Sequence, residues 1–157
     1  MCSSDLVKQV EALGFKLTSS GPWSDETEKF FCHYLDSAPD FPGVALMMNE
    51  DRLVRIDIGF GEDRQNWRTL SDAGVGLSEQ ELKEIYGDCL ETSGHPSIDA
   101  AGYYLTLTSS DGKYAMIFET AVKDMDEKAL KNRDQPKYVT NFRAGLAEPV
   151  GYIEGCA

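Results

Sequence analysis

The chain has 157 residues and 41% hydrophobic content, which is enough to build an ordinary globular core. Its formal net charge of −12, from 15 Lys and Arg against 27 Asp and Glu, argues against a nucleic-acid binder, because scattered cations form no basic face. No apolar run approaches the roughly 18–20 residues of a membrane span. The acidity leaves two interpretations open, which are solubility alone and attraction to a basic partner.

The first part of the chain predicts one helix followed by antiparallel strands. Residues 5–14 carry apolar side chains at helical spacing between an N-cap residue and a final glycine. In the strand that begins at Arg52, alternation predicts a core face formed by Val54, Ile56 and Ile58, with Arg55 on the opposite face. The strands predicted in this part are 27–34, 43–48 and 52–58.

A second unit of the same kind follows. Ser78 and Glu81 form a capping box, and Gly87 ends the helix. Residues 110–112 predict a hairpin turn, and His95 is predicted to lie exposed in a loop. The strands predicted in this part are 102–109, 113–120, 137–143 and 151–156.

The two units align as an internal repeat. Placing Gly14 on Gly87 brings Asp5 onto Ser78, so both N-caps precede a helix-ending glycine by nine residues, and the strand order agrees. We therefore predict an α+β fold of two tandem helix-plus-antiparallel-strand repeats packed as one domain. The first repeat would span 1–70 and the second 71–157, with a charged insertion near 121–135.

The four cysteines bear on the compartment. Cys2, Cys32, Cys89 and Cys156 form no C-x-x-C pair, which disfavours a zinc site. An even number at wide spacing favours disulfides in an oxidising compartment, and the alternative is four idle thiols in a cytosolic protein. Because Cys2 directly follows Met1, we also consider a lipid anchor on Cys2, as in processed bacterial lipoproteins.

A family resemblance adds to this interpretation. Residues 76–87, Gly-Leu-Ser-Glu-Gln-Glu-Leu-Lys-Glu-Ile-Tyr-Gly, resemble the helix signature of SmpA/OmlA-like domains in bacterial outer-membrane assembly lipoproteins. In tandem, that fold is similar to the secreted β-lactamase inhibitory proteins. The segment 55–58, Arg-Ile-Asp-Ile, and the Glu-Gly-Cys ending at Cys156 resemble uncharacterised bacterial secreted proteins. The resemblance implies a periplasmic or extracellular location and a disulfide between Cys32 and Cys156, which leaves Cys2 and Cys89 free or paired with each other.

The sequence contains no serine-nucleophile elbow, phosphate-binding loop or dinucleotide fingerprint, and we predict no cofactor or metal. The leading hypothesis is a non-enzymatic protein-binding module, such as a hydrolase inhibitor or immunity-like protein with a basic target. The alternatives are an envelope-assembly or scaffold lipoprotein held by Cys2, and an enzyme with an unrecognised carboxylate pair. The expected binding face is the outward side of the long strands, with candidate residues Arg55, Arg143, Tyr103 and Tyr138.

Overall fold

The structure is a computed structural model that describes residues 16–18, 32–36, 39–49, 52–59, 67–123, 134–153 and 155–156. Within these residues a sheet of eight strands is accompanied by two short α-helices and a single 3-10 turn at Gly87–Cys89. The elements are β1 (Lys16–Thr18), β2 (Cys32–Asp36), β3 (Val44–Asn49), β4 (Arg52–Ile58), α1 (Glu79–Tyr86), β5 (Glu91–His95), β6 (Asp99–Thr108), β7 (Tyr114–Val122), β8 (Lys137–Leu146) and α2 (Ala147–Gly151).

The strands form one antiparallel sheet in the order β1-β2-β3-β4-β8-β7-β6-β5. Each half is a meander in which neighbouring strands follow one another along the chain. The two meanders meet where β4 pairs with β8, with Ile58 opposite Phe142 and Arg55 opposite Gly145. One continuous sheet therefore runs through both of the segments predicted as repeats.

The predicted α+β fold of tandem helix–strand repeats is wrong. The described chain is dominated by one antiparallel sheet, and its two α-helices have only eight and five residues. The capping signals around Ser78 led to an overestimate of the helical content. The helix that they mark, α1, is barely two turns long, and Leu82 is its one fully buried residue. Strand is the larger part, since β6 and β8 have ten residues each. The helix predicted at 5–14 lies outside the described residues.

Several local predictions are confirmed. Ser78 and Glu81 form the capping box at the start of α1, and Gly87 ends that helix with a φ of 56°. β4 has the predicted bounds, Arg52–Ile58. The turn between β6 and β7 places Gly112 at a φ of 71°, where glycine avoids the steric cost of a Cβ.

The face of the sheet that carries α1, which we call the helix face, holds most of the apolar core. Phe118 on β7 and Phe142 on β8 lie opposite each other with ring centroids 5.4 Å apart, and the ring of Tyr86 on α1 packs 5.9 Å from Phe118. Full burial of one such large apolar side chain contributes roughly 1.5–3 kcal/mol. The buried residues of this cluster are Ala73, Leu82, Leu105, Phe118, Val139 and Phe142.

The opposite face, which we call the tail face, is covered in part by α2. Val150 is fully buried and packs against Tyr104 and Ile117. The strand predicted at 151–156 is wrong, because Gly151 is the last residue of α2 and the described residues after it, 152–153 and 155–156, belong to no strand. Pro149 is compatible with α2, since proline is tolerated where the first-turn N–H has no helical partner.

Candidate functional site

The C-terminal residues run across the tail face of the sheet. We define the tail segment as residues 147–153 and 155–156. It leaves β8 through α2 and ends at Cys156, which is joined to Cys32 on β2 by a disulfide with Cα atoms 5.4 Å apart. Because β4 and β3 lie between β8 and β2, the segment crosses three interstrand spacings, or about 14 Å. Cys32 with Cys156 is the pair that the family resemblance implied.

Arg55 fixes the middle of the tail segment. Its side chain is buried, and its Nη1 donates hydrogen bonds to the carbonyl oxygens of Pro149 at 3.0 Å and Tyr152 at 2.8 Å. Nε donates to Asp57 Oδ2 at 2.8 Å, and Nη2 donates to the hydroxyl of Tyr34 at 2.6 Å. The guanidinium thus bonds to the tail backbone, to a buried carboxylate and to β2 at the same time.

Arg143 holds the tail segment from β8 in a similar way. Its Nε donates to the carbonyl oxygen of Val150 at 2.6 Å, and its Nη1 donates to Glu119 Oε1. The guanidinium lies over the ring of Tyr104, 5.0 Å from the centroid. Each arginine therefore lies beside a backbone carbonyl of the tail segment and beside a carboxylate that balances its charge. These contacts offset the cost of burying the two guanidinium groups.

His95 adds a titratable group to this network. Its Nδ1 accepts a hydrogen bond from the Ser97 N–H at 3.1 Å, its Nε2 lies 3.7 Å from Glu119 Oε2, and its ring meets Tyr104 edge-on at 4.8 Å. Burial, and then the positive charge of Arg143, lower the pKa of His95 below its ordinary 6.5. The prediction that His95 is an exposed loop residue is wrong, because the residue ends β5 and is half-buried.

The structure does not gather the four residues of the expected binding face onto one exposed surface. Arg55 and Arg143 are 3% and 4% exposed, so neither can flank an exposed face. Tyr103 is paired with Thr120 and packs in the core of the helix face, under Lys137 at 4.9 Å. Tyr138 lies in the next row of the sheet, so the pleat points it to the opposite side.

Two pairs of neighbouring exposed apolar side chains lie on opposite faces of the sheet. Tyr114 on β7 and Leu146 on β8 are direct partners in the sheet and are 55% and 39% exposed. Tyr152 and Ile153 follow α2 on the tail segment and are 42% and 56% exposed. Because Ala115 and Gly145 belong to the tail face, the pleat points their neighbours Tyr114 and Leu146 to the helix face. We call the pair on the tail face, Tyr152 and Ile153, the apolar corner. An open, mostly apolar groove of about 460 Å³ lies beside Tyr114, and its other lining residues are Leu107, Thr108, Ser109, Ala115, Met116, Ala144 and Gly145.

The remaining candidate sites from the sequence give less support for a specific function. Cys2 lies outside the described residues, and Cys89 is an exposed thiol beyond the end of α1. Across the described ranges no three His, Cys, Asp or Glu side chains cluster as metal ligands would. No helix in the described part of the chain is both long and apolar enough to cross a membrane.

No family model, curated protein or solved structure matches the chain. The resemblance to SmpA/OmlA-like domains therefore stays a prediction. The tail segment with its two buried arginines and the apolar corner are features that the sequence reasoning did not anticipate. A same-face Arg-x-Asp pair, Arg55 and Asp57, was visible in β4 as a signal for a buried ion pair.

Proposed function

We propose that this chain is a protein-binding module that works outside the cytoplasm, where it engages a basic protein of the hydrolase class as an inhibitor or immunity-like partner. The observation that carries the proposal is the apolar corner. Tyr152 and Ile153 are neighbours on the tail segment, and both large apolar side chains are exposed. Clustered exposed apolar residues, especially with tyrosine among them, are typical of protein interfaces.

Two further observations support the location and the kind of partner. The disulfide between Cys32 and Cys156 favours an oxidising compartment, such as the periplasm or the exterior of a cell. The net charge of −12 favours encounter with a cationic protein, because complementary charge raises the association rate. Lipidation of Cys2 would hold the same module at a membrane surface, and mass analysis of the native protein tests that addition.

Calorimetric titration against defined proteins tests the proposal. Suitable probes are two cationic secreted hydrolases, a c-type lysozyme and a pancreatic-type ribonuclease, with pepsin as the acidic control. We expect saturable, equimolar binding to a cationic hydrolase that persists at about 0.15 M salt, where long-range charge attraction is largely screened. We also expect the enzyme to lose activity in proportion to the bound fraction. Binding to neither cationic hydrolase would contradict the proposal.

Matched variants separate the apolar corner from the general acidity. Ile153→Asp adds a negative charge inside the corner, whereas Leu70→Asp adds the same charge at a fully exposed site elsewhere. We expect the first variant to weaken binding about tenfold or more and the second to leave it within about twofold. Equal binding by both variants would show that acidity alone drives the association.

A further inference from the structure

We infer that Tyr152 and Ile153 are the anchor of this interface, held ready to enter an apolar cleft on a cationic partner. The inference rests on the proposed function and names the segment that makes the central contact. It starts from a contrast in the tail segment, whose backbone is tied down at several points while two neighbouring large side chains are 42% and 56% exposed.

The backbone that leads into the anchor is fixed from below. Val150 is fully buried, and its carbonyl oxygen accepts a hydrogen bond from Arg143 Nε at 2.6 Å. The Tyr152 N–H donates to the carbonyl oxygen of Pro149 at 3.2 Å, and the Tyr152 carbonyl accepts from Arg55 Nη1 at 2.8 Å. The main chain at the first anchor residue is therefore bonded through both its N–H and its C=O.

The backbone that leaves the anchor is fixed covalently. Cys156 is bonded to Cys32 on β2, three residues beyond Ile153. Gly155 has a φ of 68° and lies so close to β2 that an added Cβ would sit 2.5 Å from the hydroxyl oxygen of Tyr34. That same hydroxyl accepts the hydrogen bond from Arg55 Nη2, so one arginine connects the supports on both sides of the anchor.

The side chain of Tyr152 is also oriented before any partner arrives. Its hydroxyl donates to Glu148 Oε1 at 2.9 Å, a bond that raises the pKa of the tyrosine. A fixed backbone and a fixed ring reduce the ordering entropy that an interface must otherwise overcome, and tyrosine is among the residues most often found at interface hot spots. These features favour insertion into a pocket over contact with a flat surface.

The negative charge around the anchor indicates which kind of protein would bind it. Glu148 places a carboxylate beside the tyrosine ring, and the whole chain carries a net charge of −12. A second copy of the chain would bring equal negative charge to the same place, which opposes association. A cleft with a cationic rim gives the opposite sign, so the proposed occupant is the apolar cleft of a basic protein.

The test uses c-type lysozyme as the probe and measures Kd by calorimetry and inhibition by residual activity. The double variant Tyr152→Ala with Ile153→Ala is expected to bind about 100-fold more weakly, because two anchor side chains are lost. The control Leu70→Ala with Ile85→Ala, which removes two exposed apolar side chains elsewhere, is expected to stay within about twofold. Urea midpoints and disulfide mapping establish that each variant is folded.

A second arm tests preorganisation. Cys32→Ser with Cys156→Ser keeps both anchor side chains but frees the end of the tail segment, and we expect about tenfold weaker binding with no change in the side chains that touch the partner. If wild-type protein binds and the double alanine variant binds equally well, the anchor is refuted while the proposed function stands. If wild-type protein does not bind lysozyme, the same variants are titrated against the ribonuclease, and binding to neither protein refutes the proposed function and the anchor with it.

Discussion

Removal of the disulfide between Cys32 and Cys156 is expected to cost more stability than any surface change. The two cysteines are 124 residues apart in sequence, so the bond closes most of the described chain into one loop. In the chain-entropy model a loop of this length restricts the unfolded state by about 5 kcal/mol at 25 °C. Because a typical domain is stable by only about 5–15 kcal/mol, the variant Cys32→Ser with Cys156→Ser should lose a third or more of its free energy of unfolding.

Urea unfolding followed by tryptophan fluorescence gives the measurement. With an m-value of about 2 kcal/mol/M, the loss corresponds to a fall of roughly 2.5 M in the midpoint, and m itself should rise because the unfolded chain without its cross-link exposes more surface. Cys89→Ser is the control, since this exposed thiol takes part in no disulfide among the described residues. A midpoint within about 0.5 M of wild type would refute the reasoning, since it would mean that the cross-link constrains the unfolded chain very little.

Three further predictions concern the network beneath the tail segment and the seam between the meanders. Arg55→Met should lower the free energy of unfolding by about 3–5 kcal/mol in urea titrations, because it removes a buried hydrogen bond to Asp57 and two to carbonyl groups of the tail segment, whereas exposed Arg52→Met should stay within about 0.5 kcal/mol. Gly145→Ala should lower the free energy of unfolding by about 3 kcal/mol, because its Cβ would collide with the β4 backbone. Gly151→Ala, whose Cβ meets open space, should lower it far less. Equal urea midpoints for the two variants would contradict this. The pKa of His95 is lowered in the folded chain, so the unfolded chain binds more protons between the folded pKa and pH 6.5. The stability that His95 contributes above pH 6.5 is therefore lost as the pH falls through 6.5 toward the folded pKa. His95→Asn should flatten that part of the profile of unfolding free energy against pH, and identical slopes in both proteins would rule this out.

Local signals in the sequence were sufficient for individual elements. The capping box and the final glycine located α1, and alternation located β4 with its observed bounds. Each of these signals depends on neighbouring residues, which act through hydrogen bonds within one turn or through the period of a strand. Polar β5 was missed, because Glu91-Thr-Ser-Gly-His95 has little strand propensity and is held mainly by its pairing with β6.

The arrangement of the elements in the sheet could not be predicted from local sequence signals in the same way. Arg55 looked like an outward-facing residue because nothing near it in sequence reports that the tail segment crosses over β4. Arg143 lies directly opposite Asp57 only because β4 pairs with β8, a register set by residues more than eighty positions apart. The candidate site is therefore a product of long-range pairing, whereas the predicted binding face was derived from strand periodicity alone.

The junction of the two meanders also has a consequence for how the chain folds. Within each meander, neighbouring strands are close in sequence, so their pairing requires only short loops to close. The junction instead joins Ile58 to Phe142, 84 residues apart, and such non-local pairing is slow because the chain entropy is spent before the contacts form. We expect Arg55 and Asp57 to stay hydrated until that moment, since the carbonyl groups bonded to Arg55 arrive with the tail segment. The rate-limiting step of folding is therefore expected to be docking of two preformed meanders, coupled to the dehydration of their charges.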